Sequence, residues 1–415
     1  VKSGALALVT LGLSPSFLRR TVFAGELLAG DAARGGRGQT LICLFQRGAA
    51  DGLNVLVPHG DAAYYAHRPA IAIPRPSSSA AGSAIDLDGF FGLHPAMAAF
   101  VPLWKEGLLA PVHAVGSPSS TRSHFDAQDY MESGTPDRKG TRDGWLNRYL
   151  ATRGTCESCE PTPFRAVSMT PQTPRILEGP SPVVAMNSID EFTIRSSSGD
   201  VAQRLEALYQ TGHADVVHAA GGEMLDAMKV LRAANPRQYL PANGAEYPRS
   251  PFGMHLLQIA QLIKAGVGLE VAFADVGGWD THVNQGGANG QLANRLDDFA
   301  RAIAALVTDL GDRMADVTIL TMSEFGRTVR QNGTGGTDHG HAGSLFVIGG
   351  SVKGGKVHGR WPGLAAEQLH EGRDLALTTD FRTVFGEVAG KALGASRLEV
   401  LFPEFDVKRG QLGLL

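Results

Sequence analysis

The chain has 415 residues, of which 43% are hydrophobic and 19% are charged, and its formal net charge is −3. A chain of this length can bury a large core and could form two or three domains. Its weak negative charge is unlike the basic surface that attracts nucleic acids or anionic membranes, so we expect neither as a partner.

The first 38 residues are predicted to be the remnant of an export signal followed by a linker. Residues 4–13 are apolar and follow Lys2. This run is shorter than the ~20 residues that span a bilayer, and it has the length of the hydrophobic region of a signal peptide. Residues 30–38 are rich in glycine and arginine, as flexible linkers are. The alternative is a buried N-terminal helix. We favour export, with no integral membrane segment.

Short apolar runs alternate with amphipathic segments along the rest of the chain. Buried strands are predicted at residues 40–45, 108–115, 164–169, 182–186, 269–276, 317–322 and 345–348. Helices are predicted at residues 94–107, 125–133, 201–209, 214–234, 255–265 and 292–310. Strands that are hydrophobic throughout and alternate with helices are typical of a mostly parallel sheet covered by helices. We therefore expect one α/β domain over residues 39–415, with a helical insertion at about residues 187–250.

The three cysteines are too few for a disulfide framework. Cys43 lies in an apolar run and is expected to be buried. Cys156 and Cys159 lie close together in a polar loop. They form either a local disulfide in an oxidising compartment or two unpaired thiols, and the sequence does not distinguish these alternatives.

Polar residues follow four of the predicted strands at the point where each strand ends. In open α/β sheets, ligands bind beyond the carboxyl ends of the strands, and carboxylates and imidazoles are common ligands of Zn²⁺ and Mn²⁺. The candidates at these strand ends and in the loop before the last strand are Asp51, Asp280, His282, Glu324, Asp338, His339 and His341. Singly, each could be a turn or capping residue. Jointly they could bind one or two divalent ions.

The loop of residues 119–124 is a candidate nucleophile site because it joins a predicted strand to a predicted helix. Backbone N–H groups at a helix start favour an anion such as phosphate or sulfate, and a hydroxyl close to a metal can lose its proton and attack. Ser123 is the candidate, in competition with Ser120 and Thr121. The alternative is that Ser123 caps the helix. The other catalytic candidates are His124 and, as ligands of an oxyanion, Arg122 and Arg327.

Five motifs occur in order along the chain: QRGAADGLN, TRSHFDAQDYMESG, GGWDTH, TMSEFGRT and GTDHGHAGSLFVIGG. Together they resemble a bacterial family catalogued as a domain of unknown function within the alkaline phosphatase/sulfatase superfamily, whose members typically carry twin-arginine export signals. The resemblance extends from about residue 40 to about residue 384. It implies an alkaline phosphatase-like three-layer fold and a periplasmic or secreted protein that is exported by the twin-arginine route.

The same resemblance implies roles for individual residues. Those that match the superfamily's metal ligands are Asp51, the pair Asp280 and His282, the acid Glu324, and either His339 or His341. The chain departs from the superfamily in two ways. The middle pair is Asp-x-His rather than Asp-x-x-x-His, and Phe325 replaces the histidine expected beside the acid. A one-metal enzyme and an inactive descendant are therefore also compatible with the motifs.

Two functions are compatible with the sequence. The first is an exported hydrolase of phosphate or sulfate esters, either small or polymeric, that uses one or two divalent ions (Zn, Mn or Ca). The second is a catalytically inactive, secreted binding or scaffold protein that retains the fold. The surplus of acids and histidines favours the first function, whereas Phe325 and the ambiguous nucleophile favour the second. The sequence leaves the oligomeric state open.

Overall fold

The computed structural model of the chain describes residues 39–79, 81–153, 162–189 and 239–415. The predictions for residues 1–38, for Cys156 and Cys159, and for the helices at 201–209 and 214–234 lie outside these residues. The helical insertion lies mostly outside them as well, so its boundaries stay a prediction.

All seven predicted strands occur, with shifted ends, and each of the predicted helices that lies in the described residues has a helical counterpart. The strands are β1 (Thr40–Gln46), β2 (Leu56–Val57), β3 (Ile85–Asp86), β4 (Gly92–Leu93), β5 (Leu109–Gly116), β6 (Ala166–Ser168), β7 (Val184–Ala185), β8 (Val271–Val276), β9 (Val317–Met322), β10 (Gly343–Gly349) and β11 (Thr379–Asp380). The α-helices are α1 (Gly52–Val55), α2 (Ala62–His67), α3 (Val101–Lys105), α4 (His124–Ser133), α5 (Trp145–Arg153), α6 (Pro251–Ala265), α7 (Gln291–Leu310), α8 (Phe381–Ala392) and α9 (Leu398–Leu401). Short 3-10 helices occur at Pro95–Phe100, Pro163–Arg165, Arg175–Leu177, Gly311–Asp316 and Ala366–Gln368.

Eight strands form one sheet in the order β11-β5-β10-β9-β1-β8-β6-β7. β1 lies inside the sheet and pairs in parallel with β8 and β9, whereas β10 runs antiparallel to both of its neighbours, β5 and β9. The pairs β11–β5, β6–β7 and β6–β8 are parallel. The strands β1, β5, β8 and β9 therefore share one direction, and their carboxyl ends lie at the edge where β10 begins. A second, antiparallel sheet has the order β2-β4-β3.

The side chains of β1 alternate between two hydrophobic cores, one on each face of the large sheet. Ile42 and Leu44 belong to the core that is covered by α6 and α7. Leu41, Cys43 and Phe45 belong to the opposite core, which is covered by α5 and α8. A strand that is buried on both faces is hydrophobic at successive positions, as residues 41–45 of β1 are. The prediction of an α/β fold with a mostly parallel central sheet and helices is confirmed.

The predicted helix at residues 94–107 is wrong in its continuity. The structure has a 3-10 helix, Pro95–Phe100, followed by the short helix α3. Pro102 lies in the first turn of α3, where its missing N–H group is tolerated, whereas inside a longer helix it would remove a backbone hydrogen bond. Within the residues that the structure describes, no helix is both long and apolar enough to cross a lipid bilayer.

Candidate metal centre

Three loops carry polar side chains to the sheet edge where β1, β5, β8 and β9 end. One follows β5 and leads into α4, one follows β8, and one joins β9 to β10 across residues 323–342. The last loop starts and finishes at the same edge because β10 runs opposite to β9. Since the strands are neighbours in the sheet, the three loops meet above it.

Three imidazole rings from these loops point their Nε2 atoms toward one another. Nε2 of His339 lies 3.0 Å from Nε2 of His124 and 3.0 Å from Nε2 of His282. The carboxylate of Asp280 completes the group. Its oxygens lie 2.9 Å from Nε2 of His282, 3.2 Å from that of His339 and 3.4 Å from that of His124. Donor atoms of His124, Asp280 and His339 all lie within 4.8 Å of one another.

The Nδ1 atom of each ring contacts a hydrogen-bond acceptor. The pairs are His339 with the backbone carbonyl of Arg122 at 2.8 Å, His124 with Glu324 at 2.8 Å, and His282 with Asp338 at 2.9 Å. A carbonyl or an ionised carboxylate can only accept, so Nδ1 is the donor in each pair. The Nε2 atom of a neutral ring then carries a lone pair. Each of the three Nε2 atoms lies close to Asp280, and those of His124 and His282 lie close to that of His339.

This set of donor atoms fits a divalent cation. Lone pairs and a carboxylate at such distances repel one another unless a proton or a metal cation lies among them. Ligand atoms about 2.0–2.1 Å from a tetrahedral Zn²⁺ would be about 3.3 Å apart. The distances from His339 to the other two rings and from each ring to Asp280 are 2.9–3.4 Å. Metal-bound histidines also usually donate their other ring nitrogen to a carboxylate or a carbonyl, as these three do.

Neighbouring groups set the charge of the candidate ligands. The hydrogen bond to Glu324 raises the pKa of His124, against the opposing effect of burial. Burial lowers the pKa of His339, and its hydrogen bond to Arg122 only partly offsets this. Burial would raise the pKa of Asp280, but the hydrogen bond and charge of Arg327 bring it below the usual value. At neutral pH the ring of His339 is therefore neutral and Asp280 is ionised, the forms that bind metals.

Asp280 is held in place by Arg327 and by a close approach of the backbone after β1. Nη1 of Arg327 donates to Asp280 at 2.7 Å, and its Nε donates to the hydroxyl of Thr337 at 3.2 Å. Gly48 has φ +117, and a Cβ atom there would lie 2.7 Å from the backbone nitrogen of Asp280. Only glycine permits this approach. Arg327 thus contacts the candidate ligand Asp280 rather than an open site.

Glu324 and Asp338, both predicted as metal ligands, lie behind the histidines that they contact. Glu324 is completely buried. Burial would raise its pKa, but hydrogen bonds from His124 and Gln128 lower it. The pKa of Asp338 is lowered first by its hydrogen bond to His282. Both carboxylates are therefore ionised and orient histidines, a role that the sequence did not separate from metal binding.

The side chains of Asp51 and His341 contact residues other than the three histidines and Asp280. Both oxygens of Asp51 are paired with Arg68, at 2.6 and 2.9 Å, and one also accepts from Gln285 at 2.6 Å. The ring of His341 stacks on His370 with centroids 4.0 Å apart, and burial lowers its pKa to about 4. In the described part of the chain, neither residue contacts the three histidines, and we do not include either in the ligand set.

The loop before α4 contributes a backbone carbonyl rather than a hydroxyl. The hydroxyl of Thr121 accepts from the backbone N–H of Ser123 at 3.2 Å, and that of Ser123 accepts from Asp126 at 3.5 Å. The capping alternative for Ser123 therefore matches its contacts. The guanidinium of Arg122 pairs with Glu371 at 2.6 Å and Asp374 at 2.8 Å, so its charge is engaged outside the group.

One residue of this network had no predicted role, and another was predicted as a catalytic residue. The latter is His124, whose Nε2 atom lies 3.0 Å from that of His339. Gln128 was not singled out, although its amide donates to Glu324 at 2.9 Å. Its spacing of four residues from His124 was a usable signal, because residues i and i+4 of a helix share one face.

Comparison with known proteins gives a family and a weak structural similarity. A family model described as "Protein of unknown function (DUF1501)" matches residues 38–400. No curated protein matches the chain at a significant level. Among solved structures, the chain is similar to the PsFucS1 sulfatase from Pseudoalteromonas sp. with 11% sequence identity, 83% of this chain and 68% of that chain covered, and a TM-score of 0.33.

Proposed function

We propose that this chain, which belongs to the family of proteins of unknown function DUF1501, is a hydrolase that uses a single divalent metal ion. The proposed ligands are His124, His282, His339 and Asp280. Three imidazoles and one carboxylate favour Zn²⁺ or Mn²⁺ over Ca²⁺, because Ca²⁺ takes six to eight oxygen ligands.

One observation carries the proposal: the Nε2 atoms of His124 and His282 each lie 3.0 Å from that of His339 and 2.9–3.4 Å from the Asp280 carboxylate, while every Nδ1 atom contacts an acceptor. A group of histidines that served only packing would satisfy its ring nitrogens with protein donors. Here the free nitrogens converge instead, which is the arrangement that a metal ion requires.

The exposure of the group supports a catalytic centre over a structural one. The side chains of Asp280 and His282 are 41% and 39% exposed, and those of His124 and His339 are each 23% exposed. Four protein ligands alone would close a tetrahedral zinc site, so catalysis here requires a fifth coordination position, which a solvent-exposed ion can offer to water or substrate. Solvent reaches this group directly.

The chain's own residues orient and charge the ligands. When bound, a divalent ion acts as a Lewis acid and lowers the pKa of water. Arg327 holds Asp280 ionised and fixed, while Glu324 and Asp338 fix the tautomers of two histidines. Because the hydroxyls of Thr121 and Ser123 serve the local backbone, we assign the attack to a water molecule rather than to a serine.

The class of substrate and the place of action come from the motif resemblance. The resemblance to the alkaline phosphatase/sulfatase superfamily supports phosphate or sulfate esters as substrates. It also supports export by the twin-arginine route to the periplasm or beyond the cell. The substrate class and the cellular location are therefore proposed from the motifs, and the metal centre is proposed from the geometry of its side chains.

A catalytically inactive binding or scaffold protein is the second candidate, and one observation favours it. Both arginines predicted to bind an oxyanion are already paired with protein carboxylates, Arg122 with Glu371 and Asp374, and Arg327 with Asp280. Bound metal without turnover of any ester would support this second function.

Elemental analysis of the purified protein tests the metal centre. We expect about one Zn²⁺ or Mn²⁺ per chain in the wild type and a loss of nearly all of it in His339→Ala, because that ring supplies the nitrogen that contacts both other histidines. The metal-loaded protein should then hydrolyse 4-nitrophenyl phosphate or 4-nitrophenyl sulfate in proportion to its metal content.

His341→Ala is the matched control, since His341 lies in the same loop but stacks on His370. It should keep its metal. A wild-type protein that binds neither Zn²⁺ nor Mn²⁺ when either is added would overturn the proposed centre. Loss of metal in His341→Ala and not in His339→Ala would move the site to the other ring.

A further inference from the structure

We infer that Gln128, oriented by Arg47, is a positioning residue that fixes the metal-binding tautomer of His124. The inference rests on the proposed metal centre and concerns a residue that is not one of its proposed ligands. Gln128 contacts neither Asp280 nor the other two candidate histidines through any hydrogen bond in the described residues, so it would act through Glu324.

The orientation of the Gln128 amide follows from its two partners. Its Oε1 atom accepts from Nη1 of Arg47 at 3.0 Å, and its Nε2 atom donates to Oε1 of Glu324 at 2.9 Å. An arginine side chain can only donate, so the amide oxygen must face Arg47. The amide nitrogen must then face Glu324, and the usual ambiguity between amide oxygen and nitrogen does not arise.

Two obligatory donors consequently meet at one oxygen of Glu324. The backbone N–H of Gly48 lies 2.8 Å from Oε1, and the amide of Gln128 lies 2.9 Å from it. An oxygen that accepts from both cannot donate a proton to the imidazole. Nδ1 of His124, 2.8 Å from the same oxygen, must therefore be the donor. The lone pair of His124 is left on Nε2, facing the metal position.

Arg47 is itself fixed on three sides. Its Nε donates to Asp275 at 2.6 Å and its Nη1 donates to Glu132 at 2.9 Å. The guanidinium lies 4.4 Å from the ring centre of Phe45. Asp275 belongs to β8 and Glu132 to α4, so the arginine ties the strand that leads to Asp280 to the helix that begins with His124.

The substitution Gln128→Glu separates a positioning role from a merely structural one. Glutamate keeps the length of the side chain and the oxygen that accepts from Arg47. It replaces the donor to Glu324 by a second carboxylate oxygen, which would repel Glu324 at 2.9 Å. If Gln128 only anchored Arg47, Gln128→Glu would be tolerated, because an ion pair would replace a neutral hydrogen bond.

We expect Gln128→Glu to bind Zn²⁺ about 10–100-fold more weakly than the wild type, because displacing Glu324 deprives His124 of its outer partner, a loss that usually has this effect. The affinity is measured on the full chain by competition with a chromophoric chelator. The absorption spectrum of the Co²⁺-loaded protein should also change, because the orientation of one imidazole ligand changes. Gln128→Met removes the donor without adding charge and should weaken binding less.

Gln331→Glu is the control for an added negative charge. Gln331 accepts from the backbone N–H groups of Ala70 and Ile71 through its Oε1 atom, and glutamate retains an oxygen at that position. The zinc affinity of the Gln331→Glu variant should therefore stay within about twofold of the wild type. Wild-type zinc affinity and cobalt spectrum in folded Gln128→Glu would overturn the inference and leave the metal centre intact. If Gln128→Glu does not fold, wild-type affinity in Gln128→Met would overturn it equally. A wild-type chain that binds no metal would instead overturn the proposed function, and the inference with it.

Discussion

Ser123 occupies the N-cap position of α4, and its hydroxyl accepts the backbone N–H of Asp126 at 3.5 Å. This distance is long for a capping hydrogen bond. We predict that Ser123→Ala lowers the free energy of unfolding by about 0.5–1 kcal/mol, the low end of the range for lost caps. Metal content and ester turnover should be retained. Urea unfolding, elemental analysis and a turnover assay on the same preparation test this.

Ser250→Ala is a suitable reference for the change in the free energy of unfolding, because the Ser250 hydroxyl caps α6 by accepting the backbone N–H of Gly253 at a shorter distance of 3.0 Å, and its loss should cost more. The informative alternative outcome concerns catalysis. If Ser123→Ala keeps its metal and loses turnover, Ser123 is the nucleophile and the assignment of attack to water is wrong.

For single residues, the residue type predicts that a side chain belongs to a functional group better than it predicts what the side chain does there. The sequence singled out His124, His282, His339 and Asp280 as functional candidates, and the structure brings all four together. It could not tell the proposed ligands from the carboxylates that contact them. Glu324 and Asp338 are the same kind of carboxylate as Asp280, and only the position of each relative to an imidazole ring separates the two roles. Those positions depend on how three loops pack.

Asp309 shows how one buried carboxylate joins several elements. It lies in α7 and is almost completely buried. It accepts from Lys264 of α6, from Tyr239 at 2.6 Å, from Tyr247 at 2.9 Å and from the backbone of Ala242 at 2.6 Å. Burial would raise the pKa of Asp309, but these donors, led by Lys264, lower it below the usual value.

We predict that Asp309→Asn lowers the free energy of unfolding by roughly 2–4 kcal/mol at pH 7, since Lys264 loses its buried partner. Because the folded-state pKa of Asp309 is below the unfolded value, its stabilisation is complete above about pH 4 and is lost as the pH falls through the folded-state value. The difference between wild type and variant should therefore shrink in acid. Urea unfolding at pH 7 and pH 3 measures it.

Asp297→Asn provides the control in the same helix. Asp297 is exposed and faces Arg301 at 3.5 Å, an interaction expected to contribute less than about 0.5 kcal/mol. If Asp309→Asn lowers the free energy of unfolding equally at both pH values, packing rather than the ionised carboxylate stabilises these elements.

Secondary-structure elements were predictable where one physical signal dominated. The strands β1 and β9 are mostly apolar runs, and the long helix α7 has a regular apolar face, so their predicted positions agree closely with the structure. The helix expected at residues 94–107 is divided because two prolines favour separate helix starts. The small sheet of β2, β3 and β4 was missed, since two-residue strands leave no periodic pattern.

Across the whole molecule, strand order determines which distant residues meet. The alternation of strands and helices predicted the α/β class, but no local pattern shows that β10 lies between β5 and β9 or runs against them. That arrangement brings the loop before β10 to the edge shared with β5 and β8. The same lack of pairing information explains why Asp51, which also follows a strand, was predicted to join the metal group.

Asp51 instead belongs to a buried network that links four distant segments. The side chains of Asp51 and Arg68 are both completely buried. Besides its two bonds to Asp51, the guanidinium donates to Asn54 at 2.7 Å, to the carbonyl of Thr328 at 2.8 Å and to that of Val329 at 2.9 Å. All five N–H donors of the arginine are thereby satisfied.

We predict that Asp51→Asn lowers the free energy of unfolding by about 3–5 kcal/mol, because the charge of Arg68 is left buried and uncompensated, while the folded variant still binds one metal ion. His339→Ala should show the opposite pattern, with metal lost from a chain that folds, because it leaves no buried charge unpaired, whereas Asp280→Asn would leave the buried Arg327 without its carboxylate. Urea unfolding of the metal-free proteins, followed by elemental analysis after reloading, compares the two variants without the stabilisation that bound metal adds. Loss of metal from folded Asp51→Asn would place Asp51 at the metal centre after all, and the pairing with Arg68 would then describe only the metal-free form.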